Sequence, residues 1–179
     1  MGTSRKQRER QNRKIRSNAS FELNIDYSLG EKIMNMVDIS DKPEVFREAT
    51  AQGTIKLKPR TIQLIKKDKI EKGNPLYTAK IAGILAAKKT STLIPLCHFL
   101  PLTNVDVNVK ITDKSTITVT ATVKTKAQTG VEMEALVATT TGLLTVWDMT
   151  KQYEKDKKGQ YPSTMIEKII VVEKIKKRR

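Results

Sequence analysis

Apolar and polar residues alternate most clearly over Val105-Asp106-Val107-Asn108-Val109-Lys110-Ile111, and again from Thr116 to Val123. A period of two sends successive side chains to opposite faces. These are therefore two half-buried strands, joined by the turn Thr112-Asp113-Lys114-Ser115. Thr54-Ile55-Lys56-Leu57-Lys58 and Met165 to Val172 predict two more strands, and Met34 to Ile39 a short one. The long alanine-rich apolar run from Leu76 to Leu93 predicts a helix. So does the segment from Val131 to about Tyr153, although its run Thr139-Thr140-Thr141-Gly142 has poor helix propensity and must lean on tertiary packing. Arg60 to Ile70 predicts a weaker helix. Ser40 as a cap, with Pro43 in the first turn, predicts another that runs through Arg47-Glu48-Ala49 and stops at Gly53. Lys72-Gly73-Asn74-Pro75 is a turn. From Thr54 onward the order is strand, helix, strand, strand, helix, strand, with one small helix inserted. That order predicts an α+β chain of the ferredoxin-like βαββαβ kind, an antiparallel sheet with helices on one face, plus an N-terminal extension. Such a fold hosts unrelated functions and argues none by itself.

A length of 179 residues predicts one domain with a real core. Its expected limits are 21–174, between a basic, disordered arm at 1–20 and a basic tail at 175–179. The net charge of +15 is concentrated at those ends. Residues 1–20 set seven basic side chains against Glu9, a net of +6, and residues 168–179 set six against Glu173, a net of +5, which leaves +4 for the body. Basic ends predict salt-sensitive, non-specific polyanion binding as a side property. The competing class is a basic nucleic-acid-binding protein of the same fold. That class stacks bases on sheet aromatics, and the strands 105–111 and 116–123 contain none. One cysteine excludes an intrachain disulfide framework and fits a reducing compartment. No apolar run is long enough to span a bilayer, and no apolar stretch follows the first charges as in a secretory signal, so a cytoplasmic protein without a membrane partner is expected.

Four places carry candidate chemistry. Leu93-Ile94-Pro95-Leu96-Cys97-His98-Phe99-Leu100-Pro101-Leu102 holds the only cysteine and the only histidine of the chain side by side. The flanking prolines make it a rigid loop. One Cys and one His cannot close a zinc site without several carboxylates or neighbouring chains, so no metal is expected. Gly130-Val131-Glu132-Met133-Glu134-Ala135-Leu136 carries two carboxylates. On a helix they point about 200° apart; on an extended lead-in they share a face, and the helix macrodipole alone accounts for one of them. Asp148 and Lys151 stand three apart on one helical face among Leu143, Leu144, Val146, Trp147 and Met149, which predicts a partly buried ion pair with perturbed proton affinities. Finally, Lys72, Arg47, Lys88, Lys89 and Lys174 lie near loops, and a phosphate-rich ligand would need several of them to converge.

Taken together, Met36-Val37-Asp38-Ile39-Ser40-Asp41-Lys42-Pro43, Phe46-Arg47-Glu48-Ala49, Lys72-Gly73, the helix around Ala79 to Thr90, Leu93 to His98, Thr129 to Leu136 and Leu144 to Lys151 resemble, in order, the molybdenum cofactor biosynthesis protein C (MoaC) family, the cyclic pyranopterin monophosphate synthases. The resemblance runs from Met36 to about Lys174. It implies conversion of 3′,8-cyclo-7,8-dihydroguanosine 5′-triphosphate into cyclic pyranopterin monophosphate and diphosphate, and a homohexamer built as a trimer of dimers. It implies Asp148, Lys151 and Lys72 as the general acid–base set. Leu96, Cys97 and His98 match one substrate-contacting segment, and Met133 and Glu134, with Glu132 beside them, another. Arg47 and Lys174 match basic positions suited to phosphates. No cofactor is implied as required; whether magnesium accompanies the triphosphate is left open. Three departures stand out. Phe99 replaces a usual proline. Lys80 and Lys89 replace usual arginines, keeping charge but losing bidentate geometry. Ile175-Lys176-Lys177-Arg178-Arg179 stands where the family usually carries Gly-Gly-Lys-Ser-Gly. Glu134 and Asp148 are 14 residues apart, about 20 Å along a straight helix. If the helix is straight, one small reacting centre needs the two ends from different subunits.

Overall fold

The computed structural model describes residues 34–177. The expectations for 1–20 and for the first part of 21–174 therefore lie outside the described residues. From Asn35 onward the chain folds as one unit. Its elements are β1 (Val45–Lys56), α1 (Pro59–Lys66), α2 (Pro75–Ala87), the single turn α3 (Thr90–Leu93), β2 (Leu102–Ile111), β3 (Thr116–Ala127), α4 (Glu132–Glu154) and β4 (Met165–Lys177). The four strands form one antiparallel sheet in the order β2-β3-β1-β4, the ferredoxin-like arrangement.

Odd-numbered residues of β1, β2 and β3 face the two long helices. Ala49, Ala51, Ile55, Val107, Ile117, Val119, Ala121 and Val123 are all buried there, and Thr, Asn, Asp, Gln and Lys occupy much of the opposite face. Small residues let the helices come close. A Cβ at Gly83 of α2 would stand 3.0 Å from the Ala138 carbonyl oxygen of α4, and one at Gly142 of α4 would stand 3.1 Å from Val119. This contact is what carries α4 through its threonine run without a break.

Three expectations change. Met34 to Ile39 is not a strand, and the helix expected after Ser40 is the first half of β1, which runs unbroken past Gly53. The long helix ends at Ala87, and the chain reverses into α3 through Lys88 and Lys89. β4 continues to Lys177, with Ile175, Lys176 and Lys177 opposite Glu48, Arg47 and Phe46, so residues 175–177 are strand rather than tail.

β4 reaches this register through two bulges, and in one of them Lys168 adopts φ 55°. The second bulge presses Ile169 over Gly53: a Cβ there would lie 2.7 Å from Leu143 Cδ1 and 3.0 Å from Ile169 Cγ1. Gly53→Ala is expected to lose about 1–3 kcal/mol through overpacking, read as a lower urea midpoint. An unchanged midpoint would mean that the bulge relaxes without cost.

At the far end of α4, two helix termini exchange caps. Glu154 is fully buried. Its carboxylate accepts from the Lys58 backbone N–H at 3.0 and 3.1 Å, from the Thr61 hydroxyl, and from the Thr164 hydroxyl at 2.6 Å. Lys58 returns its ammonium to the carbonyls of Tyr153 (3.3 Å) and Lys155 (2.9 Å). An anion thus stands at the N-terminus of α1 and a cation at the C-terminus of α4, each favoured by the local dipole.

Candidate active site

Asp148 lies on the exposed side of α4 and is gripped from two directions. Its Oδ1 is 2.7 Å from Lys151 Nζ, one turn along the same helix, and its Oδ2 is 2.7 Å from Lys72 Nζ, which also donates to the Asp148 carbonyl at 3.2 Å. The three side chains are each about half exposed, so the pair expected to be partly buried is open to solvent in this chain. The two ammoniums, Lys151 first, hold the Asp148 carboxyl down to about 2, and the same contact pushes Lys151 up. An ionised carboxylate thus keeps a proton-loaded amine beside it, and the pair can deliver or take back a proton at one point.

Lys72 comes from a turn whose shape the sequence dictates. Gly73 takes φ 91°, and Asn74 accepts the backbone N–H groups of Leu76 and Tyr77 at 3.0 and 3.2 Å, capping α2 with Pro75 in its first turn. The turn is tied to α4: Glu71 N–H donates to the Tyr153 hydroxyl at 3.0 Å, and Gln152 donates to the Glu71 carboxylate at 3.1 Å.

The other end of α4 holds a second group. Both glutamates sit in the first helical turn with opposite fates. Glu132 pairs with Lys174 of β4, and its carboxylate folds over Gly130 so closely that a Cβ there would push it aside. Burial raises its proton affinity, but Lys174 and then Arg47 outweigh that, and the net shift is downward. Arg47 is itself anchored to the Gln128 carbonyl at 2.8 Å. Glu134 is buried, and its Oε2 has no hydrogen-bond partner among the described residues. Burial, then the charge of Glu132, pushes its carboxyl upward. The Cys97 thiol is pushed up by its own burial and then by the charge of Glu134, so the Cys-His loop lies within electrostatic reach of Glu134. His98 Nε2–H donates to the Val37 carbonyl at 2.7 Å, and the Thr125 hydroxyl fixes the loop's Pro101 carbonyl at 2.7 Å. Leu96 and Met133 are exposed at this end.

A buried carboxyl with a raised folded value contributes stability below the unfolded value of about 4.3, and that contribution is lost as pH rises through the folded one. Glu134→Gln removes the buried charge. It is expected to stabilise the fold at pH 7 by about 1 kcal/mol, roughly 2–4 °C in Tm, with the gain vanishing near pH 4. A gain equal at both pH values would show that ionisation is not its source.

The structure therefore gathers Lys72, Asp148 and Lys151 at one end of α4. It gathers Glu132, Glu134 and Cys97 at the other, with Lys174 and Arg47 beside Glu132 and with Leu96, His98 and Met133 in the same two segments. One uninterrupted helix, Glu132–Glu154, separates them, without the kink that Thr139 to Gly142 could have introduced. Gly130, Tyr153 and Glu154 were missed in the sequence. Gly130 could have been suspected from its place before two carboxylates; Tyr153 reveals itself through Glu71, 82 residues away, and Glu154 chiefly through Lys58 and Thr61, 96 and 93 residues away. No group of three or more His, Cys, Asp or Glu positioned for a metal ion occurs among the described residues.

Residues 36–177 match the MoaC family model. The chain is 59% identical to the "probable cyclic pyranopterin monophosphate synthase" of Saccharolobus solfataricus over 143 residues, 80% of this chain and 95% of that protein. It is 57% identical to the protein of the same description from Pyrococcus horikoshii over 146 residues, 82% of this chain and 91% of that one. With Sulfurisphaera tokodaii the identity is 56% over 141 residues, 79% and 93%. The match spans all eight elements and both groups at the ends of α4, and the chain belongs to the MoaC family.

Proposed function

We propose that this protein is a cyclic pyranopterin monophosphate synthase of molybdenum cofactor biosynthesis. It converts 3′,8-cyclo-7,8-dihydroguanosine 5′-triphosphate into cyclic pyranopterin monophosphate and diphosphate. The observation that carries this reading is the Asp148 carboxylate held between Lys72 and Lys151 within a chain of this family. The product chemistry needs proton transfers during ring rearrangement and a hydroxyl attack on the α-phosphorus that expels diphosphate. Lys72 and Lys151 supply and accept the protons, and Asp148 keeps them charged between steps. Lys174 and Arg47 are cations suited to the phosphates; Leu96, Cys97, His98, Glu132, Met133 and Glu134 line the substrate. No cofactor is required by this scheme, and magnesium is left to the triphosphate. The setting is the cytoplasm; among the described residues no helix is long and apolar enough to cross a membrane. The test is incubation with the cyclic dihydroguanosine triphosphate, followed by detection of the pyranopterin product and diphosphate. Absence of product from folded protein would reject the reading.

The site is composite. Two groups about 20 Å apart along one helix cannot both reach one small centre, whereas an isologous dimer brings the Glu134 end of one protomer to the Asp148 end of its partner. Tyr77, Ile81 and Leu85 leave an apolar stripe exposed along α2, and Leu96, Phe99, Met133 and Leu144 are exposed too, surface that a second copy would cover. We take the assembly to be a homohexamer, a trimer of such dimers. Mixing two inactive variants, His98→Ala and Asp148→Asn, under subunit exchange is expected to restore part of the activity. Mixed dimers then hold one site free of both changes. No recovery despite proven exchange would place both residues in one protomer's site.

A further inference from the structure

The Lys72 turn has little support of its own. Residues 67–74 lie outside helix and strand, and two of them, Asp68 (φ 52°) and Gly73 (φ 91°), are left-handed. Ile70 is buried and fixes the depth of the turn, and Gly73 N–H closes back on the Ile70 carbonyl at 3.0 Å. What sets its lateral position is the last turn of α4, where two consecutive side chains both reach for Glu71. The Tyr153 hydroxyl accepts from the Glu71 backbone N–H at 3.0 Å, and Gln152 Nε2 donates to the Glu71 carboxylate at 3.1 Å. The next residue is Lys72, whose ammonium returns to Asp148 on the same helix at 2.7 Å. Tyr153, Glu71, Lys72 and Asp148 thus close a ring between helix and turn. Within it, the hydroxyl fixes the peptide that leads into the Glu71 Cα, one residue before Lys72.

We propose that Tyr153 is a positioning residue of the active site: its hydroxyl, with Gln152 as a second tether, holds the Lys72 ammonium against the Asp148 carboxylate in the geometry required for proton transfer. This rests on the reading of Lys72 as part of the acid–base set. The Tyr153 ring packs on the hydrophobic core and is half-buried, while the bond to Glu71 lies at the exposed surface. Removing only the hydroxyl therefore keeps the ring's packing and leaves an N–H that water can satisfy. A displacement of about 1 Å at a reacting group costs up to about 10²-fold in rate, and one tether remains.

The test compares Tyr153→Phe and Gln152→Ala with the parent in Tm, KM, kcat and the titration of the Asp148 carboxyl followed by NMR. For Tyr153→Phe we expect an unchanged Tm, a KM within about twofold, and a kcat lower by about tenfold. The Asp148 carboxyl should titrate higher than in the parent, because it has lost part of the Lys72 contact. Gln152→Ala should show the same signature more weakly, and it decides the matter if Tyr153→Phe proves unstable. Parental kcat, or a kcat loss with Asp148 titrating as in the parent, overturns the proposal. Full turnover by Lys72→Ala is a different failure, that of the Lys72 assignment itself. The Asp148 titration still reports the tether in that case, since it needs no turnover.

Discussion

Asp148→Asn is expected to abolish product formation in a folded protein. The loss should be at least the roughly 10²–10⁴-fold that a general acid–base group contributes. Asn keeps the size of the side chain but cannot hold two ammoniums at 2.7 Å as an anion does. Lys72 and Lys151 would lose their common counter-charge and, with it, their place. Lys151→Ala should fall as far. The pH behaviour follows from direction. A carboxyl held to about 2 when folded stabilises the protein above its unfolded value and stops doing so only as pH falls through about 2. The parent's activity should therefore show no acid limb from Asp148 above about pH 4. Because the group is exposed, Tm at neutral pH should hardly change on substitution. Near wild-type turnover by Asp148→Asn would remove the residue from the mechanism.

Glu154→Ala is expected to have the largest effect on stability, a loss of about 3–5 kcal/mol. The change leaves the Lys58 N–H and the Thr61 and Thr164 hydroxyls without their buried acceptor, uncaps α1, and opens a cavity where the carboxylate stood. Glu154→Gln keeps the volume but turns one acceptor oxygen into a donor facing donors, so it should fall between the parent and Ala. Urea unfolding measures both. A cost under about 1 kcal/mol for Glu154→Ala would show that water replaces the carboxylate and that the reciprocal cap contributes little.

Several parts of this protein were legible because their signal is local. The period of two in β2 and β3, the length of α4, the Lys72-Gly73-Asn74-Pro75 turn and the three-residue spacing of Asp148 and Lys151 each depend on neighbours in the chain, and each is present in the fold. The first half of β1 was misread for an equally physical reason. Its core-facing positions, Ala49, Ala51 and Gly53, are small because α4 and Ile169 press on them, so the apolar alternation is faint. Arg47-Glu48-Ala49 then looks like a helix until strands β3 and β4 are placed on either side to take up its backbone hydrogen bonds. The contrast between the two glutamates was also hidden. Only β4, arriving through its bulges, brings Lys174 to Glu132, and only the packed fold buries Glu134. The sequence by itself determined the two alternating strands, the long helix α4, the family and the residue types of the site. The tertiary structure decided which charges meet, since Lys72 and Asp148 are 76 positions apart and Lys58 and Glu154 96. Proton affinity and buried-charge stability depend on distances across space, which no local pattern encodes.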